Sequence, residues 1–286
     1  MSSKAEYKIS ILEYAYQSRI PNSIVYSGYH DEGEDPAVTY TLTLLQNEKR
    51  NILIDTGYDD SVEENRQLAS GCNIDRYISP AKAVQRAGVA PEDIGHIILT
   101  HCHWDHIGGL QLFKNAVFYI QKKEYLKWME ILALPRAYDT LRVSISYDAM
   151  DKLTELAKEG RLILLDEDTD DLFPGIHVRL AEDGHTYGGS MTVIDLPEDR
   201  YIHIGDVAYL RKNILGPDLD GRSIPQSLGS GSITNRIRSM QEALSAVNGN
   251  IEKVLIGHDP VMFEQFCSRT WEDGMRIAYV NGNAEC

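Results

Sequence analysis

Cysteine is scarce in this chain, and the four residues that occur, Cys72, Cys102, Cys267 and Cys286, are scattered. No two have the close spacing of a zinc ribbon or a small disulfide framework, so neither is expected, and a reducing compartment fits best. Long apolar runs are missing too. No window approaches the roughly 18 apolar residues of a membrane span, and the charged start MSSKAEYKIS has no apolar signal-peptide core behind it. The expectation is a cytoplasmic protein with no membrane partner. Basic residues are outnumbered: 28 Lys and Arg stand against 43 Asp and Glu, a formal net charge of −15. So acidic a surface repels phosphate backbones, which disfavours nucleic acid as a partner. No Pro/Gly/Ser linker divides the chain and no solenoid repeat is visible, so residues 1–286 read as one domain.

What is present belongs to a folded globular chain, with 43% hydrophobic and 25% charged residues. Tyr40, Leu42 and Leu44 alternate with Thr39, Thr41 and Thr43, the period-2 pattern of a half-buried strand, and Asn51 to Ile54 reads as its hairpin partner. In ISPAKAVQRAG, Ser79 suits an N-cap, Pro80 the first helical position and Gly88 the stop. Further strands are expected at His96 to Leu99, Val117 to Ile120, Leu162 to Leu165, Ile176 to Leu180, Met191 to Asp195, Tyr201 to Ile204 and, last, Lys253 to Ile256. Helices are expected at Lys122 to about Leu134, Asp148 to Lys158 and Asn235 to Val247. Hairpins mixed with helices suggest two sheets with helices outside. The carboxylate-rich Asp166 to Asp171 reads as a solvated loop, because it lacks the glycine and closing glutamate of an EF-hand.

One segment stands apart. In His101-Cys102-His103-Trp104-Asp105-His106, three imidazoles and a carboxylate fall within six residues, all ligand types for zinc or a similar divalent ion. A strand aims residues i and i+2 the same way but i+5 the opposite way, so a turn is needed, and Gly108 and Gly109 are placed to allow it. Cys102, between two candidate ligands, would point away from them in an extended chain. Three weaker contexts lie at predicted strand ends: Gly184-His185, Gly205-Asp206 and Gly257-His258. The isolated histidines His30, His96, His177 and His203 are expected to be structural.

Taken in this order, HCHWDH followed by Gly-His, Gly-Asp and Gly-His resembles the metallo-β-lactamase superfamily, and ILIDTGYDD around Asp55 and Gly57 is similar to the family's strand and turn below the metal site. The resemblance implies a four-layer αββα sandwich holding two divalent metal ions, usually zinc. His101, His103 and His185 would bind one metal, Asp105, His106 and His258 the other, and Asp206 would bridge them. Histidine at 103 is unlike the diiron flavoprotein branch, and Asp206 is unlike the antibiotic-hydrolysing branch. The acidic charge disfavours a nuclease. The DTGY turn, the HWDH run and Asp206-Val207-Ala208-Tyr209 resemble most the N-acyl homoserine lactonase group, in which the tyrosine matched by Tyr209 reaches the substrate carbonyl. Gly189 departs from that group, which commonly has a histidine there.

The resemblance therefore implies hydrolysis of a small-molecule lactone by a metal-held hydroxide, with Tyr209 stabilising the oxyanion and Asp105 shuttling the proton. Hydrolysis of another cyclic ester, a cyclic amide or a thioester, as in the glyoxalase II-like branch, is the alternative. A metal-binding protein without turnover is a third reading. The stretch Leu210 to Ser232, rich in Gly, Ser and Pro, argues against a packed helix and is expected beside the site, with Ile214, Leu215 and Leu219 at the pocket wall.

Overall fold

The structure, a computed structural model, describes residues 6–28 and 33–281. His30 and Cys286 lie outside the described residues. Two sheets face each other. In the larger the strand order is Cys267–Thr270, Arg276–Asn281, Lys8–Gln17, Val38–Asn47, Arg50–Ile54, His96–Ile98, Val117–Gln121 and Leu162–Leu165, with Arg76–Tyr77 paired beside Lys8–Gln17. The smaller runs Val254–Leu255, Arg200–His203, Gly188–Asp195, Ile176–Glu182 and Thr169–Phe173. Between them lies an apolar layer to which Ile11, Ile52 and Ile98 contribute from one side and Ile176, Val178 and Ile194 from the other. Outside the large sheet, Trp128, Met150 and Leu153 of the helices Lys122–Leu132 and Tyr147–Lys158 close a second core. Outside the small sheet, Met240 and Ala243 of the helix Ile233–Ala246 close a third. Helix, sheet, sheet, helix is the αββα order expected.

The threonine-rich strand departs from its expected half-buried state. Val38–Asn47 is buried on both faces for most of its length, because a central strand of a sandwich has no solvent side. Most of its polar face is bonded, with only the Thr43 hydroxyl left without a partner among the described residues: the Thr39 hydroxyl donates to Glu13 at 2.8 Å and the Thr41 hydroxyl to the Gly257 carbonyl at 2.8 Å. The punctuated helix is Pro80–Arg86, with Gly88 in the left-handed region at φ +83°.

Three expectations need correction. The acidic Asp166 to Asp171 is a loop only in its first half, since Thr169–Phe173 is a strand paired to Ile176–Glu182. Val254–Leu255 is not the last strand, as Cys267–Thr270 and Arg276–Asn281 follow it. The cysteines are not uniformly reduced: Cys72 and Cys102 are free, whereas Cys267 is disulfide-bonded. Among the described residues, no helix is long and apolar enough to cross a membrane.

Candidate metal centre

Neighbouring strands deliver the candidate ligands to one edge of the sandwich. Arg50–Ile54 and His96–Ile98 are parallel, as are Arg200–His203 and Val254–Leu255, so their C-terminal ends point the same way. His101 and His103 leave the first pair on an extended segment that then turns into the short helix Trp104–Ile107, which carries Asp105 and His106. His185 lies in the turn between Ile176–Glu182 and Gly188–Asp195, Asp206 in the 3-10 turn Gly205–Val207, and His258 beyond Val254–Leu255.

The two glycines after the motif are needed for a different reason than expected. Gly108 has φ −67° and Gly109 φ −107°, values any residue adopts. A Cβ on Gly108 would lie 2.9 Å from the Asn65 side chain, and one on Gly109 2.5 Å from the Thr56 carbonyl. Close approach, not left-handed backbone, excludes a side chain there.

The seven side chains gather into two groups. One is His101, His103, His185 and Asp206; the other is Asp105, His106 and His258. Asp206 faces both. Its Oδ2 lies 3.6 Å from His101 Nε2 and 3.2 Å from His185 Nε2, while its Oδ1 lies 3.1 Å from both His106 Nε2 and His258 Nε2. Asp105 Oδ2 closes the second group at 3.5 Å from His106 Nε2 and 3.6 Å from His258 Nε2.

Two observations show that these residues fit cations. His101 Nε2, His106 Nε2 and Asp206 Oδ1 are buried without a hydrogen-bond partner, and each such orphan costs about 1–3 kcal/mol or more if nothing satisfies it. His103 Nδ1 and His185 Nε2 face each other at 3.0 Å in the first group, where a shared cation would take both lone pairs. The outward nitrogens are fixed: His258 Nδ1 donates to the Thr39 carbonyl at 2.7 Å and His106 Nδ1 sits 2.8 Å from Asp55 Oδ2, so each ring turns its Nε2 toward the carboxylates of the site.

Protonation follows the surroundings. Burial, then the neighbouring imidazoles, drives His101 and His103 well below the usual histidine range, so both are neutral donors of a lone pair. Burial acts on His106 in the same direction, but the carboxylates of Asp206, Asp105 and Asp55 outweigh it and raise it. Asp206, despite burial, is held well below the usual carboxylate range by His106, His258, His101 and His185. Burial raises Asp105. Tyr209 sits between the groups, its ring 5.8 Å from that of His185 and 5.1 Å from that of His258, and burial holds its phenol well above the usual range. Cys102 points into the apolar core, away from both groups.

Sequence reading assigns the supporting residues no role, although it places Asp55 in the turn below the site. Asp55, in the left-handed region at φ +64°, accepts the Thr100 N–H at 2.7 Å and the Thr100 hydroxyl at 2.8 Å besides facing His106. Its place in the DTG turn was the available signal. Gln226 reaches His185 Nδ1 at 3.0 Å and the Asp206 carbonyl. Buried Arg236 holds the loop that carries Gln226, donating to the carbonyls of Gln226, Leu228, Gly229 and Gly231. The segment Leu210 to Ser232 is thus tied to the site, but not as expected. It contains a short helix, Arg211–Leu215; Ile214 is buried in the outer core with Met240, and Leu219 is 66% exposed.

The family model of the metallo-beta-lactamase superfamily matches residues 37–258. The N-acyl homoserine lactonase of Bacillus cereus is 37% identical over 90 residues, 29% of this chain and 36% of the relative. Anti-Pycsar protein Apyc1 of Paenibacillus harenae is 29% identical over 143 residues, 50% of this chain and 58% of the relative. The chain thus aligns with 36% of the length of the curated lactonase. Among solved structures, the dizinc quorum-quenching lactonase AidC in complex with a product superposes with a TM-score of 0.69 at 20% identity, over 99% of this chain and 97% of that one. AiiA of B. thuringiensis, with N-decanoyl-L-homoserine bound at the active site, gives 0.66 at 20% identity, over 91% and 95%. At such identities the likeness is one of fold. The matched family segment takes in all seven gathered side chains, and the chain belongs to the metallo-beta-lactamase superfamily.

Proposed function

We propose that this protein is a dinuclear metal hydrolase that opens a small lactone ring of the N-acyl homoserine lactone class. The observation that carries the reading is Asp206, whose two oxygens face two separate groups of ligand-type side chains. His101, His103 and His185 would hold one divalent ion, Asp105, His106 and His258 the other, and Asp206 both, with zinc the expected metal. Such ions supply a hydroxide at neutral pH and polarise a carbonyl oxygen.

The chain's own groups would complete the chemistry. Tyr209, kept protonated by burial, would donate its hydroxyl to the carbonyl oxygen as negative charge develops there. Asp105, the carboxylate of the second group that is not shared, would carry the proton to the departing ring oxygen. The product is a ring-opened hydroxy acid. The lactonase names of the relatives support the substrate class, and AidC is described as quorum-quenching.

A metal-replete preparation tested on a panel of lactones, thioesters and β-lactams decides the matter. Release of one acid equivalent per lactone, with thioesters and β-lactams turned over far more slowly, is the expected result. A preference for thioesters would move the protein to the other hydrolase class, and no turnover of any ester by protein holding two ions would remove the enzymatic reading.

A further inference from the structure

The histidines of the first group arrive on two chain segments, with His103 and His185 82 residues apart in sequence, and one carboxylate holds both. Glu124, in the first turn of the helix Lys122–Leu132, is fully buried. Its Oε1 accepts the Cys102 backbone N–H at 3.0 Å and the Trp128 indole N–H at 2.8 Å, and its Oε2 accepts the Gly188 backbone N–H at 2.7 Å. Cys102 lies between His101 and His103, and Gly188 opens the strand that follows His185. The contact has no slack: a Cβ on Gly188 would lie 2.5 Å from the Glu124 backbone nitrogen and 3.0 Å from the Lys123 Cβ. Other supports serve the second group. The Tyr14 hydroxyl donates to the Asp105 carbonyl at 2.7 Å, Asp55 faces His106, and the Thr39 carbonyl receives His258.

We propose that Glu124 is a positioning residue for the first group, setting the distance between the His101/His103 arm and the His185 arm and hence the affinity of the ion they hold. The inference rests on the metal-centre reading above. A carboxylate is required because acceptor oxygens must face both arms at once. Glutamine offers one oxygen, so in either orientation its NH2 meets a backbone N–H of one arm, leaving that arm unheld.

Zn2+ titration against a competing chelator tests this in single-group backgrounds. With His258→Ala, where the first group is the intact one, adding Glu124→Gln raises the Kd about 10–100-fold, the usual cost of losing such support. With His185→Ala, where the second group is left, the same change moves the Kd by less than about threefold. Equal effects in both backgrounds, or none in either, overturn the proposal and leave Glu124 a fold-stabilising residue. If Glu124→Gln does not yield folded protein, Gly188→Ala disturbs the same link from the other arm and carries the same expectation of selective loss. Wild-type protein that binds no Zn2+ would instead remove the metal-centre reading itself.

Discussion

Asp55→Asn separates the chemistry of a supporting carboxylate from its backbone role. Asp55 sits at φ +64°, where an alanine would be strained by about 1–2 kcal/mol but asparagine is tolerated. The Thr100 N–H, 2.7 Å from Oδ1, selects the amide orientation that keeps an oxygen there. The amide NH2 then replaces Oδ2 and meets His106 Nδ1 at the 2.8 Å contact. Two donors cannot share that contact, so the imidazole proton must move to Nε2, the nitrogen that faces Asp206 Oδ1. The second group thereby loses a lone pair. A loss of about 10–100-fold in affinity for the second ion is expected, which is about 1.4–2.8 kcal/mol, with the metal-free protein still folded, though less stable for the loss of a buried charge partner of His106. Zn2+ titration with a chromophoric chelator reads the affinity, and circular-dichroism melting of the apoprotein reads the fold. Two equivalents bound at wild-type affinity would refute the tautomer argument.

Tyr209→Phe should lower kcat on the best lactone by up to about 10²–10³-fold with metal content unchanged; wild-type kinetics would make Tyr209 purely structural. Arg236→Met strands the four carbonyls it serves, so amide protection at 226–231 should fall and stability drop by about 1–3 kcal/mol; hydrogen exchange that matches wild type there would deny Arg236 its hold on the loop. Burial lowers His203 to about 4, so as pH falls from about 6.5 the unfolded chain takes up a proton that the folded chain refuses, and stability is lost until about pH 4. At pH 4.5 this amounts to roughly 2–3 kcal/mol. Denaturant melts of the apoprotein at pH 7 and 4.5 should show a smaller drop for His203→Gln than for wild type, and equal drops would contradict the assignment.

What could be read from the sequence was whatever depends on local pattern or on dense chemistry. HCHWDH announces a metal site because its ligand types crowd into six residues, and Ser79, Pro80 and Gly88 mark a helix by their conformational preferences. The strand Lys8–Gln17 escaped because it is buried on both faces and so shows no alternation, with Glu13 in its middle. That carboxylate is intelligible only beside Arg276, 2.6 Å away and 263 residues later. The helix Glu63–Gly71 escaped for the opposite reason, a sequence too polar to show a stripe. Glu124 and Gln226 are ordinary polar residues until the fold brings them against backbone and imidazole. Chain proximity to Tyr209 puts Ile214 at the pocket, but the short helix Arg211–Leu215 turns it into the outer core.

Each ligand group draws on both sheets. His101 and His103 extend from the large sheet and meet His185 and Asp206 from the small one, and Asp105 and His106 meet His258 in the same manner. An ion held by either group is therefore a cross-link between the two halves of the sandwich, set at the edge of a seam otherwise closed by aliphatic contacts such as Ile11, Ile98 and Val178. Thermodynamic linkage makes the strength of that seam depend on the surroundings: at a free-ion concentration 100 times the Kd, one such cross-link adds about 2.7 kcal/mol. Parting the sheets and releasing the ion become one event, so the heat tolerance of this fold is a gauge of the free metal around it.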